Sequence, residues 1–205
     1  MVAGADNQIF ERRESVVRTY CRGVDVVLAG GRGSLLRDVH GREYLDFLAG
    51  AGALNYGHND PDMKVALLEY IAGDGIAHGL DLYTDAKRGF LQAFEDLVLA
   101  PRDMDHHVQF TGPTGANGVE AALKLARKVT GRTNVIAFTR GFHGLSLGAL
   151  AATANSTMRM APHNALGGVT RMPYDGYLGP GVDTAELLAA VLAVDVVGGP
   201  LLPDA

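Results

Sequence analysis

Thr111-Gly112-Pro113-Thr114-Gly115-Ala116-Asn117-Gly118-Val119-Glu120 is the stretch whose residue types could most directly do chemistry. Glycines three apart lead into a run in which Val119, Ala122, Leu123, Ala126 and Val129 share one face at the helical period. A turn that opens a helix aims unpaired backbone N–H groups and the positive end of the helix dipole at one point. Such a point holds a phosphate or another anion, and Gly112, Gly115 and Gly118 allow a ligand to approach the main chain closely. Thr114 adds a hydroxyl. A plain strand-to-helix turn would use the same residues, so spacing alone leaves both readings open. Two other phosphate patterns fail: a Walker loop ends in Gly-Lys-Ser/Thr, whereas Gly118 precedes Val119-Glu120, and the 112, 115, 118 spacing is not the dinucleotide G-x-G-x-x-G. Adjacent His106-His107 diverge in an extended segment, and no Cys/His/carboxylate set has ligand spacing, so no metal site is expected.

Several elements must position this turn. Val108-Gln109-Phe110 before it reads as a strand, and Glu120 and Lys124 stand at i,i+4 on the expected wetter side of the helix. Asn134 to Phe138 reads as a buried strand and Gly144 to Ala154 as a helix. Upstream, residues 9–22 suggest a short charged helix, and Gly33 to Phe47 a β-hairpin, with two alternating apolar runs around a turn of Asp, His and Gly. Ala49 to Gly57 reads as a loop. Asp60 and Pro61 suit a helix start, with Met63, Leu67, Leu68 and Ile71 as its apolar face and Gly73 as its end. A second helix is expected over Thr84 to Leu99, with Phe90, Leu91, Phe94, Leu97 and Val98 inward. Strands and helices alternating from about residue 61 predict an α/β layer with a parallel sheet.

The chain has 205 residues, 47% hydrophobic and 20% charged, with a net charge of -5. That describes one sizeable globular domain. The acidic balance, without a Lys/Arg cluster, argues against nucleic acid as a partner, and no run approaches the length of a membrane span. Met1 to Asp6 lacks a signal pattern, and the single Cys21 reads as an idle thiol, so a cytoplasmic protein is expected.

The glycine turn, the hairpin and Phe142-His143-Gly144 together resemble the class III pyridoxal-phosphate aminotransferases of fold type I. The hairpin precedes a glycine-rich segment ending in Gly57-His58; the phosphate cup corresponds to Thr114-Gly115-Ala116, and the helix that follows to Glu120–Arg127. The resemblance covers about residues 10–185. It implies pyridoxal 5'-phosphate as cofactor, anchored by the N–H groups of Gly115 and Ala116 and the hydroxyl of Thr114. It implies Phe142 stacked on the cofactor ring, although the residue by itself reads as an ordinary core aromatic. His143 takes a supporting role, and Asn55 and Tyr56 face the substrate, where a structural loop is the alternative. Asp46 to Asn59, Phe110 to Thr130 and Gly141 to Gly144 most resemble the branch that moves an amino group from L-glutamate to L-aspartate 4-semialdehyde in ectoine biosynthesis. Ala116 departs from that branch, which usually has a threonine there. The resemblance also implies a small-molecule donor and aldehyde acceptor, and a homo-oligomer.

The family's cofactor-bonding lysine and its aspartate at the pyridine nitrogen lie downstream of the matched region. Lys64, Lys87, Lys124 and Lys128 all fall on predicted helices, and none has that lysine's context. The expected organisation is therefore an N-terminal segment over 1–58, a partial cofactor-binding large domain over 59–192, and an unaligned tail over 193–205. A C-terminally truncated or frameshifted reading frame, or a short non-catalytic relative that binds a phosphorylated ligand or a full-length partner, would have this form. Another ω-amino substrate, such as ornithine or 4-aminobutyrate, keeps the fold and changes the specificity.

Overall fold

The computed structural model describes residues 7–17, 23–160 and 166–193. Cys21 and the tail beyond residue 193 lie outside them. Contacts divide the chain after Asp105 into two units. The boundary drawn from sequence at residue 58 falls inside the first unit.

The first unit opens with α1 (Gln8–Arg13), shorter than the helix expected over 9–22. The hairpin is present as β2 (Leu35–Asp38) and β3 (Glu43–Leu45), antiparallel, with Leu36 opposite Tyr44. A further strand, β1 (Leu28–Arg32), pairs antiparallel with β2 and bulges between Leu28 and Gly30. Gly30 and Gly31 interrupt the alternation that would have marked β1 in the sequence.

Asp38 organises the hairpin turn. It is 2% exposed and accepts hydrogen bonds from the backbone N–H groups of His40 and Arg42 (both 2.9 Å), from Arg42 Nε (2.8 Å) and from the Tyr44 hydroxyl (2.8 Å). Burial raises the pKa of the carboxyl, but these four donors outweigh it and hold the group well below the usual carboxylate range. A carboxylate with a lowered folded-state pKa stabilises the fold above its unfolded pKa and loses that contribution as pH falls towards the folded value. The urea midpoint of the wild type should therefore fall as pH drops below the ordinary value of 3.8. Asp38→Asn should start lower and show a flatter acid limb. Equal slopes for the two proteins would refute this.

α2 (Pro61–Ala72) starts as expected, with Asp60 accepting from the N–H groups of Asp62 (3.1 Å) and Met63 (3.0 Å). Its apolar face is not covered: Met63, Leu67, Leu68 and Ile71 are all more than half exposed, and α2 buries none of its residues. α3 (Asp85–Phe94) is capped by Thr84 and continues as a π-helical turn over Glu95–Leu99. The wider turn rotates the residues that follow it. Leu97, within that turn, faces solvent at 73% exposure, and Phe90 and Leu91 before it are exposed as well, against the inward orientation expected for all three, while Leu99 is buried.

In the second unit α4 (Gly115–Thr130) follows the glycine turn and ends on Gly131 in the left-handed region. β4 (Val135–Phe138) and β5 (Val169–Met172) form a parallel pair joined through α5 (Leu147–Ala152) and α6 (Ser156–Arg159), and α7 (Thr184–Leu192) follows. Ala137, Ala149, Leu150, Ala151, Ala152, Thr153 and Met172 form the buried centre. The parallel pairing agrees with expectation; the strand expected at Val108-Gln109-Phe110 is not formed. A strand needs a neighbour to take its backbone groups, and among the described residues β4 pairs with β5 alone.

Glu120 also differs from expectation. Its carboxylate does not sit on a wet face beside Lys124; it accepts from the Ala149 N–H at 2.9 Å, at the start of α5. That bond, outweighing burial and helped by the Ser146 side chain and the Gly148 N–H, lowers the carboxyl's pKa. An acid at the first turn of a helix is favourable. The loop on which α5 rests is thereby tied to α4.

Candidate functional site

The start of α4 leaves two donors unspent. Thr114 is the N-cap, with an extended backbone (φ -120, ψ 153), and Gly115 and Ala116 are the first two helical residues. The Asn117 N–H is shared between the Thr114 carbonyl at 3.0 Å and the Thr114 hydroxyl oxygen at 3.3 Å. The Asn117 Oδ1 accepts from the Thr114 N–H (3.2 Å) and hydroxyl (2.8 Å), closing a reciprocal cap. The N–H groups of Gly115 and Ala116 have no acceptor among the described residues. They are the orphan donors that a helix start offers an anion. Thr114 does not fill its expected role in full: its hydroxyl proton is directed at Asn117, so the side chain shapes the cradle as a cap instead of donating into it. Gly112 is required here because its φ is +133 and a Cβ would lie 2.9 Å from Asn117 Oδ1.

The loop after β4 comes to this point. Gly144 is buried with φ +127, and a Cβ on it would lie 2.7 Å from the Ala116 Cβ and 3.1 Å from that of Ala149. The turn and the aromatic-His-Gly element, 26 residues apart between Ala116 and Phe142, are therefore packed together. Phe142, two residues before Gly144, is 55% exposed. An aromatic half open to solvent on a loop fixed beside two free N–H groups is not a core residue. The His143 ring lies over its own loop, where a Cβ on Gly141 would be 2.9 Å from its Nε2. Its backbone N–H donates to Thr153 Oγ1 at 2.9 Å.

Two residues that hold this loop were missed in the sequence. Thr153 is fully buried; Arg171 on β5 donates to the carbonyls of Ala152 (2.9 Å), Ala151 (2.6 Å) and Thr153 (2.7 Å) at the end of α5. Burial, chiefly, with Arg159 nearby, lowers the Arg171 pKa from the usual arginine value. The available signals were one hydroxyl in an Ala-rich run and one cation inside a four-residue strand.

Asn55 and Tyr56 belong to the first unit. They line an open cleft of about 380 Å³ with Gly33, Ser34, Asp46 and Gly57. Asp46 accepts from the N–H groups of Leu48 (2.9 Å) and Ala49 (3.0 Å) and meets His58 Nε2 at 2.7 Å. The Ala49 N–H foremost, then His58, hold its carboxyl below the usual range against the effect of burial. Gly57 is required by a close approach, since a Cβ would lie 2.8 Å from the Gly33 Cα. Tyr56 is 78% exposed. Among the described residues no group of three His, Cys, Asp or Glu could hold a metal ion, and no helix is long and apolar enough to cross a membrane.

The family model for class III aminotransferases matches residues 19–191, a span that contains both the turn and the loop. The chain belongs to the class III aminotransferases. A diaminobutyrate–2-oxoglutarate transaminase of Bordetella parapertussis is 56% identical over 187 residues, 91% of this chain and 43% of the relative. The enzyme of the same name from Halomonas elongata is 52% identical over 203 residues, 97% of this chain and 47% of the relative. Among solved structures, an omega-transaminase from Sphaerobacter thermophilus is 25% identical with a TM-score of 0.66, covering 92% of this chain and 44% of that one. The fold is thus that of the fold type I transaminases, present in part: the chain spans less than half the length of the curated relatives it matches. The class III aminotransferases use pyridoxal phosphate. The residues present fit its phosphate and ring ends, with free N–H groups at Gly115 and Ala116 and the half-exposed Phe142 on the adjoining loop.

Proposed function

We propose that these residues form the phosphate-anchoring part of a pyridoxal-phosphate transaminase that moves an amino group from L-glutamate to L-aspartate 4-semialdehyde, giving L-2,4-diaminobutyrate and 2-oxoglutarate for ectoine biosynthesis. The observation that carries the cofactor site is the pair of unspent N–H groups at the start of α4, where Ala116 lies against Gly144 of the Phe142 loop. The substrate reading rests on the likeness to diaminobutyrate–2-oxoglutarate transaminases and on the motifs over Asp46 to Asn59.

When bound, pyridoxal phosphate withdraws electrons from the substrate carbon next to its nitrogen. This chain's residues do the holding. Gly115 and Ala116 would donate to phosphate oxygens, the α4 dipole would favour their charge, and Phe142 would lie against the ring and keep water from it. Asn55 and Tyr56 are assigned to substrate contact, His143 to support of the loop, and the working protein to a homo-oligomer.

Gly115→Pro tests the anchor. Proline is tolerated at the first helical position, and Thr114 already has the extended backbone that precedes proline. A Cβ at residue 115 would meet nothing within 4 Å. The variant should keep α4 yet lose about tenfold in affinity for both pyridoxal phosphate and inorganic phosphate, one charge-assisted hydrogen bond being removed. Unchanged affinity in equilibrium dialysis would sink the anchor.

The second reading, a chain that binds but does not turn over, is favoured by one observation. Lys64, Lys87 and Lys124 and Lys128 lie on α2, α3 and α4, respectively, and none is in the family's setting for the cofactor-bonding lysine. This polypeptide should yield no borohydride-trapped adduct at a site lysine and no transaminase rate. A robust rate from the purified chain would refute that.

A further inference from the structure

We propose that Thr153 is a positioning residue that sets the Phe142-His143-Gly144 loop against the start of α4, presenting the Phe142 face to the ring of the cofactor while the phosphate is left to Gly115 and Ala116. The proposal rests on the cofactor reading above. Its basis is one hydroxyl, fully buried and in contact with the loop through two backbone groups. Thr153 Oγ1 accepts from the His143 N–H at 2.9 Å. Its own proton has two acceptors, the Gly144 carbonyl at 2.9 Å and the Ala149 carbonyl at 3.0 Å. The Ala154 N–H donates to the Gly141 carbonyl at 2.8 Å, so the chain on either side of Phe142 is bound to the end of α5.

α5 is itself held from two directions, by Glu120 of α4 at its first turn and by Arg171 of β5 at its last. Thr153 is where that brace reaches the loop. In Thr153→Val a methyl group takes the place of the hydroxyl and leaves no room for a water, so the His143 N–H and the Gly144 carbonyl lose this partner. Gly144 has no room to shift towards Ala116, so the loop answers by moving away, and Phe142 moves with it.

Thr153→Val keeps the shape and removes the hydroxyl; Thr153→Ser keeps the hydroxyl. In the full chain, Thr153→Val should raise hydrogen exchange at the His143 amide about tenfold. It should weaken pyridoxal phosphate binding by about the same factor and leave inorganic phosphate binding unchanged. Thr153→Ser should restore the exchange protection and the cofactor affinity. Unchanged exchange in Thr153→Val, equal loss of both ligands, or a serine variant that behaves as the valine one would each overturn the proposal. If the wild type binds inorganic phosphate but not pyridoxal phosphate, the cofactor reading fails, and with it the presentation of Phe142. The exchange comparison then still decides whether Thr153 holds the loop.

Discussion

Gly144→Ala should lower the stability of the second unit by about 2–5 kcal/mol, the sum of an overpacked contact and a backbone angle that side chains rarely adopt. The glycine is buried, its φ is +127, and the new methyl would lie 2.7 Å from the Ala116 Cβ. Neither side can give readily: Ala116 is on the first turn of a 16-residue helix and Ala149 is on buried α5. The relief available is separation of the loop from α4. Cofactor affinity should therefore fall together with the exchange protection of the α5 amides. Gly118→Ala is the matched control, since a Cβ there meets nothing within 4 Å and alanine in a helix interior should stabilise by about 0.5–1 kcal/mol. If both variants exchange like the wild type, the close approach of loop and helix is wrong.

Arg171→Met should cost about 2–4 kcal/mol, because hydrogen bonds from a charged donor contribute more than neutral ones and buried carbonyls left unpaired are penalised. The methionine retains most of the apolar stem, so the loss reports the guanidinium and not the packing. Three carbonyls in sequence, those of Ala151, Ala152 and Thr153, depend on this one side chain. Arg171→Lys should fall between, since a single ammonium cannot span three acceptors as a planar fork does. Hydrogen exchange of the α5 amides and of the β4–β5 ladder measures both variants. A methionine variant as protected as the wild type would show that solvent reaches those carbonyls.

The parts legible in the sequence share a physical character: each is specified by residues close together in the chain. Asp60-Pro61 announces α2 because a cap and a fixed φ act within one turn. The turn that opens α4 is equally local, with Gly112 at a positive φ, although the Thr114 to Asn117 cap inside it was not read. The hairpin at Asp38 was visible for the same reason, although the four donors converging on one carboxylate were not. What escaped depends on partners far along the chain. Glu120 was read as half of an i,i+4 pair because nothing near it reveals Ala149. Arg171 drew no notice in the sequence because its acceptors lie 18 to 20 residues earlier. Leu97 was placed inward by a 3.6-residue period, and a single π-turn broke that count. The exposed faces of α2 had the opposite problem: the pattern correctly marks apolar surface, but a pattern cannot say whether anything in this chain covers it.

The guanidinium of Arg171 also sets an order of events during synthesis. α4 is capped by residues within its own first turn, whereas the β4–β5 ladder needs a crossover of about 30 residues, the kind of non-local closure that slows assembly. The two unspent amides at the mouth of α4 therefore precede, by more than 50 residues of chain, the arginine that steadies the aromatic loop.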